Sequence, residues 1–168
     1  MKTPKRLPVG LNTEEFKRLI KNTKKEHHKL AFLLGFGAGL RVSEVVKLQQ
    51  RHIQTDRILI EQGKGSKDRV VPIPKGFKHK HLKMLPIDVT PRALQKAFRV
   101  CCERAGLLKE KPSLHFHSLR HGFATKMIEA GVPINQVKIA LGHSSISTTG
   151  IYLRANPKDM LQSYEELF

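Results

Sequence analysis

Residues 30–40, which read LAFLLGFGAGL, limit more than any other stretch how this chain can fold. The segment carries no charged side chain, and it is too short to cross a bilayer. We therefore expect a helix buried in the core. Its glycines Gly35, Gly37 and Gly39 allow neighbouring backbone to approach closely and are expected to end the helix before Arg41.

Shorter helices are predicted on both sides of this segment. Asn12 or Thr13 is a suitable N-cap for a first helix, because a short polar side chain can accept a backbone N–H of the first turn. A basic connector at residues 21–29 leads into the core helix, and a second short helix is expected to begin near Ser43. Residues 1–10 suit a basic arm or linker.

Between residues 52 and 74 the pattern changes to that of strands. Ile58 and Ile60 alternate along one predicted strand, and the sequence GKGSKD has the flanking glycines of a hairpin turn. A small antiparallel sheet is expected, followed by a basic loop at residues 75–83. The predicted strands cover residues 52–54, 57–62 and 69–73.

The second half of the chain is predicted to be helical. Thr90 caps a helix that Pro91 opens and Gly106 stops. The later helices are expected at residues 117–130, 134–141, 145–154 and 157–168, with Gly131 and Gly142 ending two of them. The predicted fold class is mainly α with a small antiparallel β-sheet (α+β), forming one domain over residues 11–168.

Charge narrows the choice of partner. The chain has 31 Lys and Arg residues against 14 Asp and Glu, a net charge of +17, and a pI near 10.2. Because each neutralised phosphate releases counterions, this excess favours a polyanionic partner, with nucleic acid as the leading candidate. A merely basic soluble protein or a membrane-surface binder is the alternative, but no long basic amphipathic helix stands out.

The sequence shows no signal peptide and no membrane-spanning segment, so a cytoplasmic protein that does not bind membranes is expected. Cys101 and Cys102 are adjacent and poorly placed to bridge to each other. We expect both to be reduced thiols.

Two arginines are candidates for a phosphate clamp. Arg41 stands where the glycine-rich helix is expected to stop, and Arg120 lies three residues after His117, on the same helix face. An arginine fork donates two parallel hydrogen bonds to a phosphate, so two arginines can neutralise the charge that builds on a pentacoordinate phosphorus. Glu44 is interpreted as a carboxylate that orients the clamp, with a helix-surface charge as the equal alternative.

Each of these residues also has a simpler interpretation. An exposed polar helix accounts for His117 and Arg120 when they are considered alone. A zinc site at His117 and His121 is disfavoured, because Ser118 stands where metalloprotease helices carry glutamate. Lys64 in a glycine-flanked turn can protonate a leaving alkoxide, although the pattern GKG alone is a weak signal.

Tyr152, in the sequence LGHSSISTTGIY, is the candidate nucleophile. A phenol with a pKa of about 10 is only about 0.1% ionised at neutral pH, a cost of roughly 4 kcal/mol against the phenolate. Cationic neighbours such as Arg41 and Arg120 would offset that cost. Considered alone, Tyr152 is a packing residue, as Tyr164 is expected to be.

Taken together, these motifs resemble the catalytic domain of the tyrosine recombinase (phage integrase) family, and the resemblance covers nearly the whole chain. The order and separation of the motifs make it specific. The matching boxes are GAGLRVSE, GKGSKDRVVPIP, HSLRH and LGHSSISTTGIY, which carry Arg41, Lys64, His117 with Arg120, and His143 with Tyr152.

The resemblance implies a site-specific recombinase or integrase that needs no metal or cofactor. Tyr152 would attack the scissile phosphate, leaving a 3′-phosphotyrosyl bond and a free 5′-hydroxyl, and another 5′-hydroxyl would rejoin the strand. Lys64 would act as general acid and His117 would assist proton transfer. The phosphate would be held by Arg41, Arg120 and His143, and the DNA contacted by Lys64, Lys67, Arg69, Lys75, Lys78 and Lys80.

The resemblance also bears on assembly. Residues 157–168 are similar to the family's C-terminal helix, which docks on a neighbouring protomer, so a tetramer on double-stranded DNA is expected. Packing of this helix against its own protomer is the equal alternative. The chain starts about where the catalytic domain would, so the N-terminal core-binding domain is expected to be absent. The alternatives are DNA relaxation like that of a type IB topoisomerase, and a truncated, non-catalytic DNA-binding regulator.

Overall fold

The computed structural model describes residues 8–62 and 68–142 of the 168 residues. Over these ranges the chain is mainly helical, with one two-stranded antiparallel sheet. The predicted fold class is therefore confirmed. The elements are α1 (Thr13–Lys21), α2 (Glu26–Ala38), α3 (Val42–Lys47), a 3₁₀ turn (Gln50–His52), β1 (Arg57–Ile60), β2 (Arg69–Pro72), α4 (His79–Leu82), α5 (Pro91–Arg104), α6 (Leu107–Glu110), α7 (His117–Glu129) and α8 (Ile134–Leu141).

Helix α2 lies at the centre of the core, as the apolar segment predicted. Phe32 is fully buried, and its ring contacts Phe98 and Phe116 with centroids 5.4 and 6.2 Å away. The helix packs along α7 so closely that a Cβ at Gly35 would lie 3.0 Å from the Leu119 side chain. Only a glycine fits at this crossing without displacing Leu119.

The start of α2 was predicted too late. The helix begins at Glu26, and the connector is shortened to residues 22–25. Lys25 supplies an extended N-cap, and Glu26 pairs with Lys29 at 2.9 Å in the first turn. An i,i+3 pair of this kind supports a helical turn even where the sequence is strongly basic.

The end of α2 agrees with the prediction. Gly39 adopts the left-handed conformation, with φ +69°, and a side chain there would lie 2.6 Å from the Phe123 ring. A residue with a Cβ would be strained at this φ and would also overlap Phe123. The chain therefore turns sharply here, which places Arg41 directly before α3.

The sheet is smaller than predicted. Strands β1 and β2 pair from Arg57 opposite Pro72 to Ile60 opposite Arg69. Residues 52–54 do not form the expected third strand, and Ile53 makes only an isolated bridge to Ile58. The reason is local, because the Gln49 N–H donates to His52 Nδ1 at 2.9 Å and closes a turn.

A similar turn interrupts the expected basic loop at residues 75–83. The Lys78 N–H donates to His81 Nδ1 at 2.8 Å, and the short helix α4 follows. His81 is buried, whereas Lys75, Lys78 and Lys80 are exposed. The segment therefore keeps its lysines at the surface although it is partly helical.

The helices of the second half agree closely with the predicted ones. Thr90 caps α5 by accepting the Ala93 N–H at 3.1 Å, and Cys101 and Cys102 are buried free thiols. Helix α8 ends at Gly142, as predicted. Helices α7 and α8 enclose a small second core made of Phe123, Met127, Val132, Val137, Ala140 and Leu141.

Several predicted elements lie outside the described residues. These are most of the arm, the tip of the hairpin turn at residues 63–67, and the helices expected at residues 145–154 and 157–168. Within the described ranges, no helix is both long enough and apolar enough to span a membrane.

Candidate active site

Arg41 lies just before α3, in an extended conformation. Its backbone N–H donates to Glu44 Oε2 at 2.9 Å, and its Nη1 donates to Glu44 Oε1 at 3.0 Å. The Arg41 side chain is 36% exposed, whereas that of Glu44 is 10% exposed. Glu44 therefore fixes Arg41 from the inside, and the guanidinium retains access to solvent.

Glu44 is the centre of a hydrogen-bond network. Besides Arg41, it accepts bonds from Arg69 Nη1 at 2.8 Å, Arg69 Nη2 at 2.9 Å and Gln62 Nε2 at 3.1 Å. Burial alone would raise the pKa of Glu44, but the bonds and charge of Arg69, with help from the Arg41 N–H and Gln62, lower that pKa to about 2. The predicted contact between Glu44 and the clamp is present, and the carboxylate is ionised.

Arg69 was predicted to contact DNA, and its burial argues against that role. Its side chain is 2% exposed, and its Nε donates to the carbonyl oxygen of Ala140 at 2.8 Å. The alternation of β2 places Arg69 on the same inward face as Val71, opposite Ile60. Its two terminal nitrogens donate to Glu44, so all three guanidinium nitrogens of Arg69 are bonded to the protein.

Arg120 is also buried, at 2% exposure. Its Nη1 donates to the carbonyl oxygen of Gly39 at 2.8 Å, and its Nη2 donates to that of Leu141. Burial, followed by the nearby charges of Arg41 and Arg69, lowers the pKa of Arg120 below its ordinary value, yet the group stays charged at neutral pH. The two bonds leave other N–H groups of the guanidinium for a ligand.

His117 begins α7 at the surface, where its side chain is partly covered by neighbouring residues, and the buried Arg120 lies one turn further along the helix. Its ring packs edge-on against His121, with centroids 4.6 Å apart. Partial burial of the imidazole is the main cause that lowers the pKa of His117 to about 4, and the charges of His121, Arg120, His115 and Arg41 add to it. His117 is therefore neutral at pH 7 and able to accept a proton.

The structure thus places three of the predicted site residues, Arg41, His117 and Arg120, close enough for their charges to affect one another. Arg41 and Arg120 each act on the pKa of His117, and Arg41 acts on that of Arg120. In residues 8–62 and 68–142, no group of three or more His, Cys, Asp or Glu side chains is arranged to hold a metal ion.

Four predicted residues lie outside the described ranges: Lys64, Lys67, His143 and Tyr152. Their neighbours in the chain belong to the site. Gln62 and Arg69, which flank the hairpin turn, both bind Glu44, and Gly142 directly precedes His143.

Sequence reasoning missed several contributors to the site. Gln62 carried no motif signal, and neither did the backbone carbonyls of Gly39, Ala140 and Leu141, because every residue has such a group. The burial of Arg69 did have a signal, since period-two alternation in RVVP puts Arg69 on the face of the buried Val71.

Comparison with known proteins identifies the family of this chain. The sequence matches the phage integrase family over residues 10–86 and 87–159. It is 35% identical to tyrosine recombinase XerA of Thermococcus onnurineus over 188 aligned positions, which cover 98% of this chain and 64% of the relative. The chain therefore spans just under two thirds of the length of that curated relative.

Solved structures share the fold. The integrase of mycobacterium phage Brujita aligns with a TM-score of 0.76 at 22% identity, covering 99% of this chain and 60% of that one. The site-specific recombinase XerH, solved bound to its palindromic difH substrate in a post-cleavage complex, aligns with a TM-score of 0.66 at 25% identity, covering 94% of this chain and 53% of that one. From its motifs, its fold and these matches, the chain belongs to the phage integrase family of tyrosine recombinases.

Proposed function

We propose that this chain cleaves and rejoins DNA strands at specific sites through a 3′-phosphotyrosyl intermediate on Tyr152. The observation that carries the proposal is the grouping of Arg41, Arg120 and a neutral His117, with both arginines held in place by buried acceptors. The net charge of +17 and the similarity to the site-specific recombinase XerH, which was solved bound to its palindromic difH substrate, support DNA as the substrate.

Arg41 and Arg120 bind the non-bridging oxygens of the scissile phosphate, with His143 as a third donor. Charge builds on these oxygens in the transition state, so cations already in position lower the barrier. The carbonyls of Gly39 and Leu141 hold Arg120 before the substrate arrives. Glu44 does the same for Arg41, since it bonds both the backbone and the side chain.

The reaction exchanges one phosphodiester for another. The Tyr152 oxygen attacks phosphorus and the bond from phosphorus to the 5′ oxygen breaks, while the 3′ oxygen stays attached. The phenolic proton passes to His117, and Lys64 gives a proton to the leaving 5′ oxygen. In the reverse direction a 5′-hydroxyl attacks the phosphotyrosyl bond and Tyr152 leaves, so rejoining needs neither ATP nor a metal ion.

Affinity for the DNA backbone comes from lysines of the segments before and after β2. We assign phosphate contacts to Lys64, Lys67, Lys75, Lys78 and Lys80. Arg69 is removed from this set because all three of its guanidinium nitrogens are bonded to Glu44 and Ala140. Residues 157–168 are assigned to docking on a neighbouring protomer, which would link active sites within a tetramer on DNA.

A covalent trap tests the cleavage step. The chain is incubated in EDTA with short duplexes that contain a random central segment and a nick. Cleavage near the nick releases a short strand, and without the 5′-hydroxyl of that strand the covalent adduct cannot be rejoined. We expect an SDS-resistant protein–DNA adduct that Tyr152→Phe abolishes. Tyr164→Phe, a change at the other tyrosine, is the matched control and should retain it. An adduct that survives Tyr152→Phe would refute the proposal.

Assembly is tested separately by deleting residues 157–168. The trapped adduct should persist, whereas the slowly migrating complexes with several protomers on one duplex should disappear from native gels. Unchanged assembly after the deletion would exclude this segment as the docking element.

A further inference from the structure

Arg69 joins three parts of the site through one buried side chain. It belongs to β2, the first element after residues 63–67, which include Lys64. Its two terminal nitrogens bind both oxygens of Glu44, and its Nε binds the Ala140 carbonyl at the end of α8. The planar guanidinium thereby connects β2, α3 and α8 in one fixed geometry.

The bond to Glu44 reaches Arg41 through a single intermediate residue. The two Glu44 oxygens that receive Arg69 also receive the backbone and side chain of Arg41. A change in the position of Arg69 therefore moves the carboxylate that fixes Arg41. All three guanidinium nitrogens of Arg69 already donate to Glu44 or to the Ala140 carbonyl, whereas Arg120 uses only its two terminal nitrogens, so we assign Arg69 no substrate contact.

The hydrogen bond from Arg69 Nε to the Ala140 carbonyl fixes the end of α8. Gly142 packs against the same guanidinium, and a Cβ at this position would lie 2.9 Å from Cδ and 3.0 Å from Nη1 of Arg69. Arg69 thus occupies the space beside the left-handed turn from which the chain continues to His143.

We propose that Arg69 is a positioning residue for strand cleavage, which holds Arg41, through Glu44, in register with the end of α8. The inference rests on the proposed function, because it assigns to Arg69 a role in the same phosphate site. Lysine cannot replace it, since one ammonium group cannot bridge both carboxylate oxygens and a carbonyl in a fixed plane.

The first test is Arg69→Lys, which keeps the buried positive charge beside Glu44. Single-turnover adduct formation at saturating protein should be at least about tenfold slower, while the Kd for DNA stays within about twofold. Arg57→Lys is the matched control, because Arg57 lies on the paired strand and binds only the exposed Asp56 at 2.8 Å. Arg57→Lys should cleave at the wild-type rate, and an equal rate for Arg69→Lys would overturn the proposal.

The pH profile separates positioning from a general loss of structure. Glu44 faces Arg41, Arg69, Gln62 and, at longer range, Arg120. In Arg69→Met the carboxylate loses its main partner, so adduct formation should fall with decreasing pH in a range where the wild type is level. Adding Glu44→Gln to Arg69→Met should remove this dependence, whereas a purely structural defect would lower the rate equally at every pH.

A measurement that does not depend on cleavage distinguishes the proposed function from the proposed role of Arg69. The backbone N–H of Arg41, which is bonded to Glu44, should shift its NMR resonance in Arg69→Lys and stay in place in Arg57→Lys. If the wild type forms no adduct, the proposed function fails while this shift still reports the coupling. If the wild type forms an adduct and Arg69→Lys changes neither rate nor resonance, the role of Arg69 alone is refuted.

Discussion

Arg69 and Arg120 donate hydrogen bonds to consecutive carbonyl oxygens, those of Ala140 and Leu141, at the end of α8. The last carbonyls of a helix lack intrahelical partners and carry partial negative charge, so two guanidinium groups are favourable there. One arginine comes from β2 and the other from α7. The end of α8 is therefore fixed from two sides at the point where the chain continues to His143.

Gly142→Ala should disturb this arrangement more than its backbone strain alone explains. Gly142 and Gly131 both have positive φ, +66° and +85°, so alanine costs about 1–2 kcal/mol at either position. A Cβ at Gly131 meets nothing within 4 Å, whereas at Gly142 it overlaps Arg69. The free energy of unfolding in urea should fall more for Gly142→Ala than for Gly131→Ala, and only Gly142→Ala should slow adduct formation. Equal losses and equal rates would contradict the contact.

Arg120→Lys should nearly abolish cleavage although it conserves the charge. A lysine cannot bind the Gly39 and Leu141 carbonyls while also presenting N–H groups to a phosphate. We expect adduct formation to fall by at least about a hundredfold and the free energy of unfolding to drop by about 1–3 kcal/mol, because a buried carbonyl loses its donor. Arg92→Lys, at an exposed position of α5, is the control and should change neither quantity.

The elements of this fold were predictable where local signals agreed. Helix α8 has the predicted bounds, because Pro133 and Gly142 mark its ends. The predicted third strand does not form, because the His52 imidazole accepts the Gln49 N–H and closes a turn. This contact competes with strand pairing and has no strong sequence signal. The start of α2 was also missed, because its N-cap Lys25 makes no side-chain capping bond that the sequence could signal.

Some parts of the site could likewise be identified from the sequence and others could not. The residues that we propose to contact the substrate carry recognisable motifs, so Arg41, His117 and Arg120 were candidates from the sequence alone. Their supports are mostly backbone carbonyls, which any residue provides, and these emerge only when the chain is folded. Arg69 was assigned to DNA because a strongly basic chain makes every arginine a candidate contact; the tertiary packing of β2 decides against it.

Acidification should destabilise the fold in part through His117. Its pKa in the folded chain is about 4, below the ordinary value of 6.5, so the unfolded chain binds more protons between these values. The contribution is fully present above about pH 6.5 and is lost as the pH falls toward 4. His117→Asn should therefore reduce the slope of unfolding free energy against pH in this window. An unchanged slope would show that other groups account for it.

The lysines after β2 should contribute to DNA affinity through salt-dependent contacts. Lys75, Lys78 and Lys80 are exposed, and replacing all three with glutamine removes up to three phosphate contacts. The slope of log Kd against log salt should become shallower by about 0.9 per lost contact. Changing the exposed lysines Lys21, Lys96 and Lys109 to glutamine should leave the slope unaltered, and equal effects of the two sets would indicate only a diffuse charge effect.

Gly122→Ala should destabilise the fold and impair the site, although alanine normally favours a helix. Gly122 lies on α7, two residues after Arg120, where an added Cβ would overlap the Leu11 carbonyl oxygen and approach the Phe36 ring to 3.0 Å. Backbone atoms cannot rotate away, so α7 must shift, at a cost of about 1–3 kcal/mol. Gly76→Ala is the control, because its Cβ meets only flexible methyl groups of Leu33 at 3.3 and 3.4 Å. The free energy of unfolding in urea and the rate of adduct formation should both fall for Gly122→Ala and stay near the wild-type values for Gly76→Ala. A Gly122→Ala variant with native stability would mean that α7 and residues 10–11 are not packed this closely.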